Sequence, residues 1–456
     1  MKRVLFLAYY FPPIAASGSL RPAGFSAHLR EHGYEPLIVS TDSDAVHPPV
    51  RLDPSLLGLV DDGIQVERLQ YINWLKVLLD VRERFRSTVG SGAVTENEQK
   101  ESAGGGRKSF SVLGVVSRTK TAILNRVFLF PDHQKPWMLA AGRFANSLKS
   151  DQRPDVVLAS GNPWSALVAG NRIARELGVP FVADFRDPWT GNPKAAVSEA
   201  IHKLSLKEER RVLQGATKVI ANTEELRGWF DVTYPDLRGR FVSITNGYNE
   251  SFRTAMQQVE AAVRPVAKVE LCHLGSIYEL RKPVALFRAL GELSEQQRIG
   301  PGDILLRFTG AWIVEDAECN ELAAQLEQKG LLVREEAVSH GEYLRRLKES
   351  PYLLILQQSF PLQIPGKIYE YIASGRPLVV IGGEGATANL VAQHGLGAAC
   401  ENEVAALKDL LLSLVDGTAQ VAGAPDAEIE QFGYHNLTRQ LASVLDEAVD
   451  VYQQRK

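Results

Sequence analysis

A lysine, a glutamate and a run of glycines fall within QIPGKIYEYIASGRPLVVIGGEG, residues 363 to 385. Lys367 and Glu370 are three apart, on one face of a helix, and the helix leads into an apolar strand that ends at Gly382, Gly383 and Gly385. A lysine beside phosphate, a carboxylate accepting two ribose hydroxyls and glycines that let backbone approach an anion would together hold a nucleotide. The competing reading of the Lys367 and Glu370 pair is a surface ion pair one helical turn long. A second stretch, HLGSIYELRKP (273 to 283), puts Gly275 and Ser276 in a turn after a strand. It then sets Arg281 and Lys282 at a helix start, where cations suit a diphosphate.

The first half of the chain offers two further clusters. In PPIAASGSLRP, small residues around Gly18 precede a helix, so backbone N–H groups could face an anion there, or the loop is a tight turn and nothing more. It lacks the G-x-G-x-x-G spacing of a dinucleotide site. In ADFRDPWTGNP (183 to 193) an apolar strand ends in Asp184, Arg186, Asp187 and Trp189. Strand ends are where function concentrates, although two carboxylates around a guanidinium also make a structural ion network. The stretches SGNPWS (160 to 165) and PDHQKPW (131 to 137) add polar groups and tryptophans suited to sugar stacking or to packing.

The elements that must position these residues follow from the hydrophobic pattern. Short apolar runs alternate with amphipathic helices: VLFLAYY at 4 to 10, EPLIVST at 35 to 41, DVVLAS at 155 to 160, PFVADF at 180 to 185 and KVIANT at 218 to 223. A second series runs from KVELCHLG at 268 through ILLRFTG, LLVRE, YLLILQ and PLVVIG to AAC near 400. Strand, helix, strand in this order means parallel sheets with crossover helices. With 456 residues the chain exceeds one core, so the expectation is two Rossmann-like doubly wound domains facing across a cleft. The first spans 1–255 with an irregular insertion at about 70–135, the second spans 268–428, and a final helix in 429–456 folds back on the first.

Composition excludes little beyond nucleic acid. Fifty-one basic against 54 acidic residues leave a net charge of −3, with no basic stripe. Cys272, Cys319 and Cys400 lack metal or disulfide spacing, as in a reducing compartment. The N-terminus MKRVLFLAYYFPP looks like a short signal peptide, but Phe11-Pro12-Pro13 breaks the run, which reads as a buried first strand. No stretch reaches the roughly 20 apolar residues of a membrane span, so the reading is a cytoplasmic protein. The segments INWLKVLLDVRERF (72 to 85) and SRTKTAILNRVFLF (117 to 130) mix basic and large apolar residues, which fits either a peripheral contact with anionic membrane or packing on the domain.

Taken in order, these stretches resemble the glycosyltransferases of family 4, two-domain GT-B enzymes that use nucleotide-activated sugars. The resemblance covers almost the whole chain and rests on YYFPPIAASGSLRP, NPWSALVAG with FVADFRDPW, ITNGYNE (244 to 250), HLGSIYELRKP and PGKIYEYIASGRPLVVIGGEG. It implies that Glu370 binds the donor ribose, that Arg281 and Lys367 neutralise the diphosphate, and that Gly18 closes on the donor. It also implies that Gly382 to Ala386 contact phosphate or donor sugar and that Val338 to His340 read the base. Two positions depart from the family pattern. The first of its two glutamates, eight residues before Glu370, is Leu362 here, and the basic residue after the glycine turn is Ser276.

The reaction so implied is glycosyl transfer from a nucleoside diphosphate sugar, of UDP or GDP type, to an acceptor hydroxyl on a glycan, a lipid-linked carrier or a small molecule. It would retain configuration and require no cofactor or metal, fixed cations and helix dipoles taking the charge of the leaving diphosphate. The D-S-D at 42 to 44 has the form of a metal motif by chance. Asp187 and Arg186 would stand beside the acceptor or the donor sugar. Two alternatives remain: a nucleotide-sugar epimerase of the same architecture, with Asp184 and Asp187 as its acid–base pair, and a degenerate nucleotide-binding protein.

Overall fold

The computed structural model describes residues 1–46, 50–73, 130–192, 198–260 and 266–455. The basic-apolar segments expected at 72–85 and 117–130 therefore lie almost wholly outside the described residues. Seven strands, β1 (Lys2–Leu7), β2 (Tyr34–Thr41), β3 (Gln65–Leu69), β4 (Val156–Gly161), β5 (Phe181–Phe185), β6 (Lys218–Ala221) and β7 (Phe241–Ser243), form one sheet. Its order is β3-β2-β1-β4-β5-β6-β7, every pairing being parallel.

The second series comprises β8 (Val269–Leu274), β9 (Ile277–Tyr278), β10 (Ile304–Thr309), β11 (Trp312–Ile313), β12 (Leu332–Glu335), β13 (Tyr352–Leu356), β14 (Leu378–Ile381) and β15 (Gly397–Cys400). Six of them form a parallel sheet in the order β12-β10-β8-β13-β14-β15, while β9 and β11 pair separately. Both sheets start at a central strand, wind outward, then reverse, which is the doubly wound topology.

Helices cover both faces of each sheet, which is why the strands are apolar throughout rather than alternating. In β1, Val4 and Phe6 pack with Phe25, Leu437 and Leu441 on one face. Leu5 and Leu7 pack with Trp137, Leu167 and Phe181 on the other. The terminal helix Tyr434–Gln454 thus lies on the first sheet although it follows the second in the chain.

The first domain was expected to run to residue 255 and a linker to occupy about 253–267. The helix Glu250–Gln258 fills part of that range instead, and its Met256 packs with Leu347, Ile368 and Tyr371 of the second unit. The chain crosses before residue 250 and returns near 432, and the two crossings touch. Tyr248 donates its backbone N–H to the Phe432 carbonyl at 3.0 Å, and Tyr434 donates to the Tyr248 carbonyl at 3.1 Å. Strands β3 and β7 carry no apolar run that would announce them: β3 is QVERL and β7 is three residues long.

Candidate functional site

Parallel strands present their carboxyl ends to a common edge, and the two sheets turn these edges toward each other. Arg186 and Asp187 follow β5, Gly275 follows β8, Gln357 follows β13 and Gly382 follows β14. Between the sheets lies a cleft of about 500 Å3, lined among others by Arg186, Asp187, Trp189, Arg281 and Gln363.

Asp184 does not join this cleft. It is 1% exposed and pairs with Arg21, 2% exposed, through contacts of 2.8 and 3.0 Å. Ser160 donates its hydroxyl to the same carboxylate at 2.6 Å. The Arg21 guanidinium also donates to the carbonyls of Thr245 at 2.6 Å and Ile244 at 2.8 Å. The ion network considered for this strand end therefore exists, but its cation is Arg21 and not the neighbouring Arg186.

Arg186 donates to the Asn162 carbonyl, and its buried Nε has no partner. Burial pushes its pKa down, which Asp187 and Asp184 partly offset. Gly18 lies in the first turn of the helix Ser17–His28, where a Cβ would come within 2.6 Å of the Arg186 Nη1. Here the glycine makes room for a cation rather than directly cradling an anion. Asp187 accepts a hydrogen bond from the Gln363 side-chain amide at 2.5 Å, a contact that spans the cleft. Burial raises the Asp187 pKa, while Arg186 first and Gln363 second hold it back.

On the facing side, Arg281 and Lys282 part company. Lys282 is engaged by Glu279 at 2.7 Å and Asp316 at 2.6 Å. Arg281 lies over the Tyr278 ring at 5.2 Å, faces the cleft and has an unpartnered buried Nε, and burial lowers its pKa. Ser276 is exposed, beside Gly275 in the turn after β8. A Cβ on Gly275 would stand 2.8 Å from the Lys367 Nζ, so this glycine admits the lysine. The ring of His273, at the end of the same strand, bonds the Leu354 carbonyl through Nδ1 at 2.9 Å, and burial pushes its pKa down to about 4.

Lys367 and Glu370 share one helix, Lys367–Ser374, but do not bond each other. The Lys367 ammonium donates to the Leu274 carbonyl and sits 5.3 Å above the Tyr343 ring, and burial lowers its pKa. Glu370 accepts from the Tyr343 hydroxyl. The surface ion pair is thus excluded in this state. The helix begins at Gly366, which lines the cleft, without a side-chain cap; the N–H groups of Ile368 and Tyr369 donate to the Pro365 and Gly366 carbonyls at 3.0 and 3.3 Å. Val338 is half-buried in the loop between β12 and the helix His340–Glu349, which carries Tyr343.

Gly382 and Gly383 stand apart from Arg281. They line a neighbouring cavity of about 270 Å3 with Gln357, Gln358 and Phe360. A Cβ on Gly382 would lie 2.4 Å from the Gln357 carbonyl, so close approach of the β13 and β14 ends requires glycine there. Leu362 packs against the core of the first domain, and its carbonyl accepts from the Thr223 hydroxyl at 2.8 Å. Thus the position of the missing glutamate has become an interdomain contact.

The aromatic residues divide likewise. Trp164 and Trp189 stack on one another at 5.1 Å and line the cleft, whereas Trp137 is core. Asp132 accepts from the Ser165 backbone N–H at 2.9 Å, serving the start of the helix Trp164–Leu177. Asp42 of the D-S-D accepts from the Asp44 backbone at 2.9 Å and caps its own turn. Sequence reasoning missed Gln363, Tyr343 and Arg21 as partners. Tyr343 lies in the polar stretch HGEYLRR, which nothing marks, whereas Gln363 opens QIPGK and Arg21 stands inside GSLRP, both within stretches singled out for other residues.

This pair of facing doubly wound sheets is the GT-B fold. A sucrose-phosphate synthase from Thermosynechococcus elongatus superposes with a TM-score of 0.62 at 12% identity, over 99% of this chain and 100% of that one. The HepE protein of Anabaena, solved with UDP and glucose, gives 0.55 at 14% identity over 98% and 100%. A Listeria monocytogenes protein assigned as a UDP-N-acetylglucosamine 2-epimerase gives 0.53 at 12% identity over 97% and 95%. In sequence, residues 105–235 match the glycosyl transferase 4-like domain. No curated protein sequence matches the chain.

Proposed function

We propose that the protein transfers a glycosyl group from a nucleoside diphosphate sugar to an acceptor hydroxyl in the cleft between its two sheets. The observation that carries this is a pair of guanidiniums, Arg186 and Arg281, facing one cavity without an ion-pair partner among the described residues. Two unpaired cations at the mouth of parallel strands suit a diphosphate. Arg281 and Lys367 take the charge of the leaving diphosphate, aided by the positive dipole end of the helix Lys367–Ser374. Glu370 receives ribose hydroxyls. Asp187, held by Gln363, and Arg186 flank the reacting sugar and its acceptor. Ile364 to Gly366 and Gln363 stand in for the sugar-binding carboxylate that Leu362 replaces. The mechanism retains configuration, and the acceptor proton passes to a donor phosphate oxygen without a metal. The acceptor is a glycan, a lipid-linked carrier or a small molecule.

An epimerase would need a free acid–base pair around the sugar. Asp184, one member of that pair, is bound to Arg21 and nearly sealed from solvent, which speaks for transfer. Among the described residues no helix is long and apolar enough to cross a membrane. The fold it shares with a protein solved with UDP makes UDP the first probe.

Thermal unfolding against UDP and GDP, with and without magnesium, tests the donor site. Ligand at 100 times its dissociation constant adds roughly 2.7 kcal/mol to the folded form. The expected result is stabilisation by one diphosphate, independent of magnesium and lost in Arg281→Ala and Glu370→Ala. Acceptor-dependent release of that diphosphate from its sugar conjugate then marks a transferase. No stabilisation by either nucleotide would defeat the assignment.

A further inference from the structure

The nucleotide half of the site contains a residue that neither family pattern nor spacing assigns. Tyr343 lies on the helix His340–Glu349, remote in sequence from the helix Lys367–Ser374. Its hydroxyl donates to one oxygen of Glu370, Oε2, while its ring lies under the Lys367 ammonium at 5.3 Å. His340, one turn earlier, stacks on the Tyr343 ring, with centroids 6.4 Å apart. One side chain therefore touches both groups to which the nucleotide reading gives a role, and these two do not bond each other. A phenol buried beside a carboxylate keeps its proton, because burial and the Glu370 charge both push its pKa well up. It accordingly donates to Glu370, which accepts.

From this geometry we propose that Tyr343 is a positioning residue of the nucleotide site. It holds Glu370 through Oε2 and seats Lys367, so that the carboxylate is fixed in one orientation toward the ribose hydroxyls. The inference rests on the nucleotide-sugar reading and adds to it a prediction about selectivity. A carboxylate pinned at one oxygen meets the ribose hydroxyls in a fixed orientation instead of turning freely. Selectivity for ribose over 2′-deoxyribose then depends on how firmly that oxygen is held.

The test is a set of dissociation constants for UDP and GDP, each beside its 2′-deoxy form, on wild type, Tyr343→Phe and Glu370→Gln. Phenylalanine keeps the ring under Lys367 and removes only the hydroxyl. Loss of a hydrogen bond to a charged group should weaken binding of the ribonucleotide by about tenfold. The ribose to deoxyribose ratio should fall toward one. Glu370→Gln gives an independent reading should Tyr343→Phe fold poorly. Its carboxamide is neutral and has one oxygen, and if Tyr343 claims it, the ribose exchanges a charged acceptor for an N–H2 donor and the selectivity falls. Combining the two substitutions should add nothing further to the loss of selectivity.

An unchanged ratio in Tyr343→Phe, with only a lower melting temperature, would show that the tyrosine is packing and overturn the proposal. Tighter binding in Tyr343→Phe would overturn it too, since the hydroxyl would then be competing with the ligand. Preserved selectivity in Glu370→Gln would mean that the ribose is not read by the carboxylate Tyr343 holds, and would overturn the proposal. If wild type binds neither nucleotide, the functional reading and this inference fall together; if it binds one and Tyr343 is indifferent, only the inference falls.

Discussion

Asp184→Asn separates a structural carboxylate from a catalytic one. The substitution keeps the shape of the side chain and an oxygen for the Ser160 hydroxyl, yet leaves Arg21 charged at 2% exposure without its counter-ion. Stripping one partner from a buried ion pair costs about 3–5 kcal/mol, because the survivor remains desolvated. The carbonyls of Ile244 and Thr245 that Arg21 also binds soften this loss without cancelling a full charge. Five of the six tryptophans, Trp74, Trp137, Trp164, Trp189 and Trp229, precede the crossing near residue 250, so intrinsic fluorescence chiefly follows the first unit. A chain of this kind need not unfold in one step, and the fluorescence transition in urea should be treated by itself. At a slope of about 2–3 kcal/mol per M, its midpoint should fall by roughly 1–2.5 M. The double replacement Arg21→Met with Asp184→Leu should recover much of that loss, since it removes both charges together. A midpoint that barely moves while activity vanishes would refute the reasoning. It would return Asp184 to the chemistry and reopen the epimerase reading.

Other substitutions probe the cleft itself. Gln363→Leu removes the donor that crosses to Asp187. A hydrogen bond to a charged group contributes about 1.5–3 kcal/mol, so kcat/KM should drop roughly 10- to 150-fold on the acid side. The sign follows from the lost donor: the carboxylate takes its proton at higher pH than before, so activity disappears earlier as pH falls. A pH–rate profile identical to wild type would count against a role for the Asp187 anion. Gly18→Ala should leave stability unchanged or raise it by about 0.5–1 kcal/mol through helix propensity. Its new Cβ would nonetheless press on the Arg186 guanidinium, 2.6 Å away, so turnover should fall with folding intact. Wild-type kinetics in this variant would mean that Arg186 need not stay where it is.

Much of the fold is legible in the sequence because burial on both sheet faces forces continuous apolar strands. The runs at 155 to 160 and 180 to 185 became β4 and β5 with shifts of one residue, and Gly178 ends the intervening helix in a left-handed conformation. Strands β3 and β7 escaped because edge positions tolerate polar or very short segments. The strand-end residues Arg186, Asp187 and Arg281 converge on one cleft because parallel topology sends every strand end to the same edge. What the sequence hides is partnership. Asp184 stands two residues from Arg186 yet bonds Arg21, 163 positions away, and Lys367 and Glu370 ignore each other for Leu274 and Tyr343. Local spacing cannot rank such choices, since each depends on which distant backbone the fold brings alongside.

The adjoining crossings at Tyr248 and Phe432 have a kinetic side. Two polypeptide links, joined to each other by backbone hydrogen bonds, act as a double-pinned hinge and restrict relative motion chiefly to rotation about one line. They also present one sheet edge to the other at an effective concentration on the order of millimolar. Few contacts are then needed across the cleft. Thr223 with the Leu362 carbonyl, Asn389 with Glu225 at 2.6 Å and Gln363 with Asp187 form such a set, each contributing about 0.5–1.5 kcal/mol if neutral and more if charged. Contacts of this modest size can break and re-form one by one, so a hinge of this kind would let the protein enclose its substrates without a permanent seam that product escape would have to break.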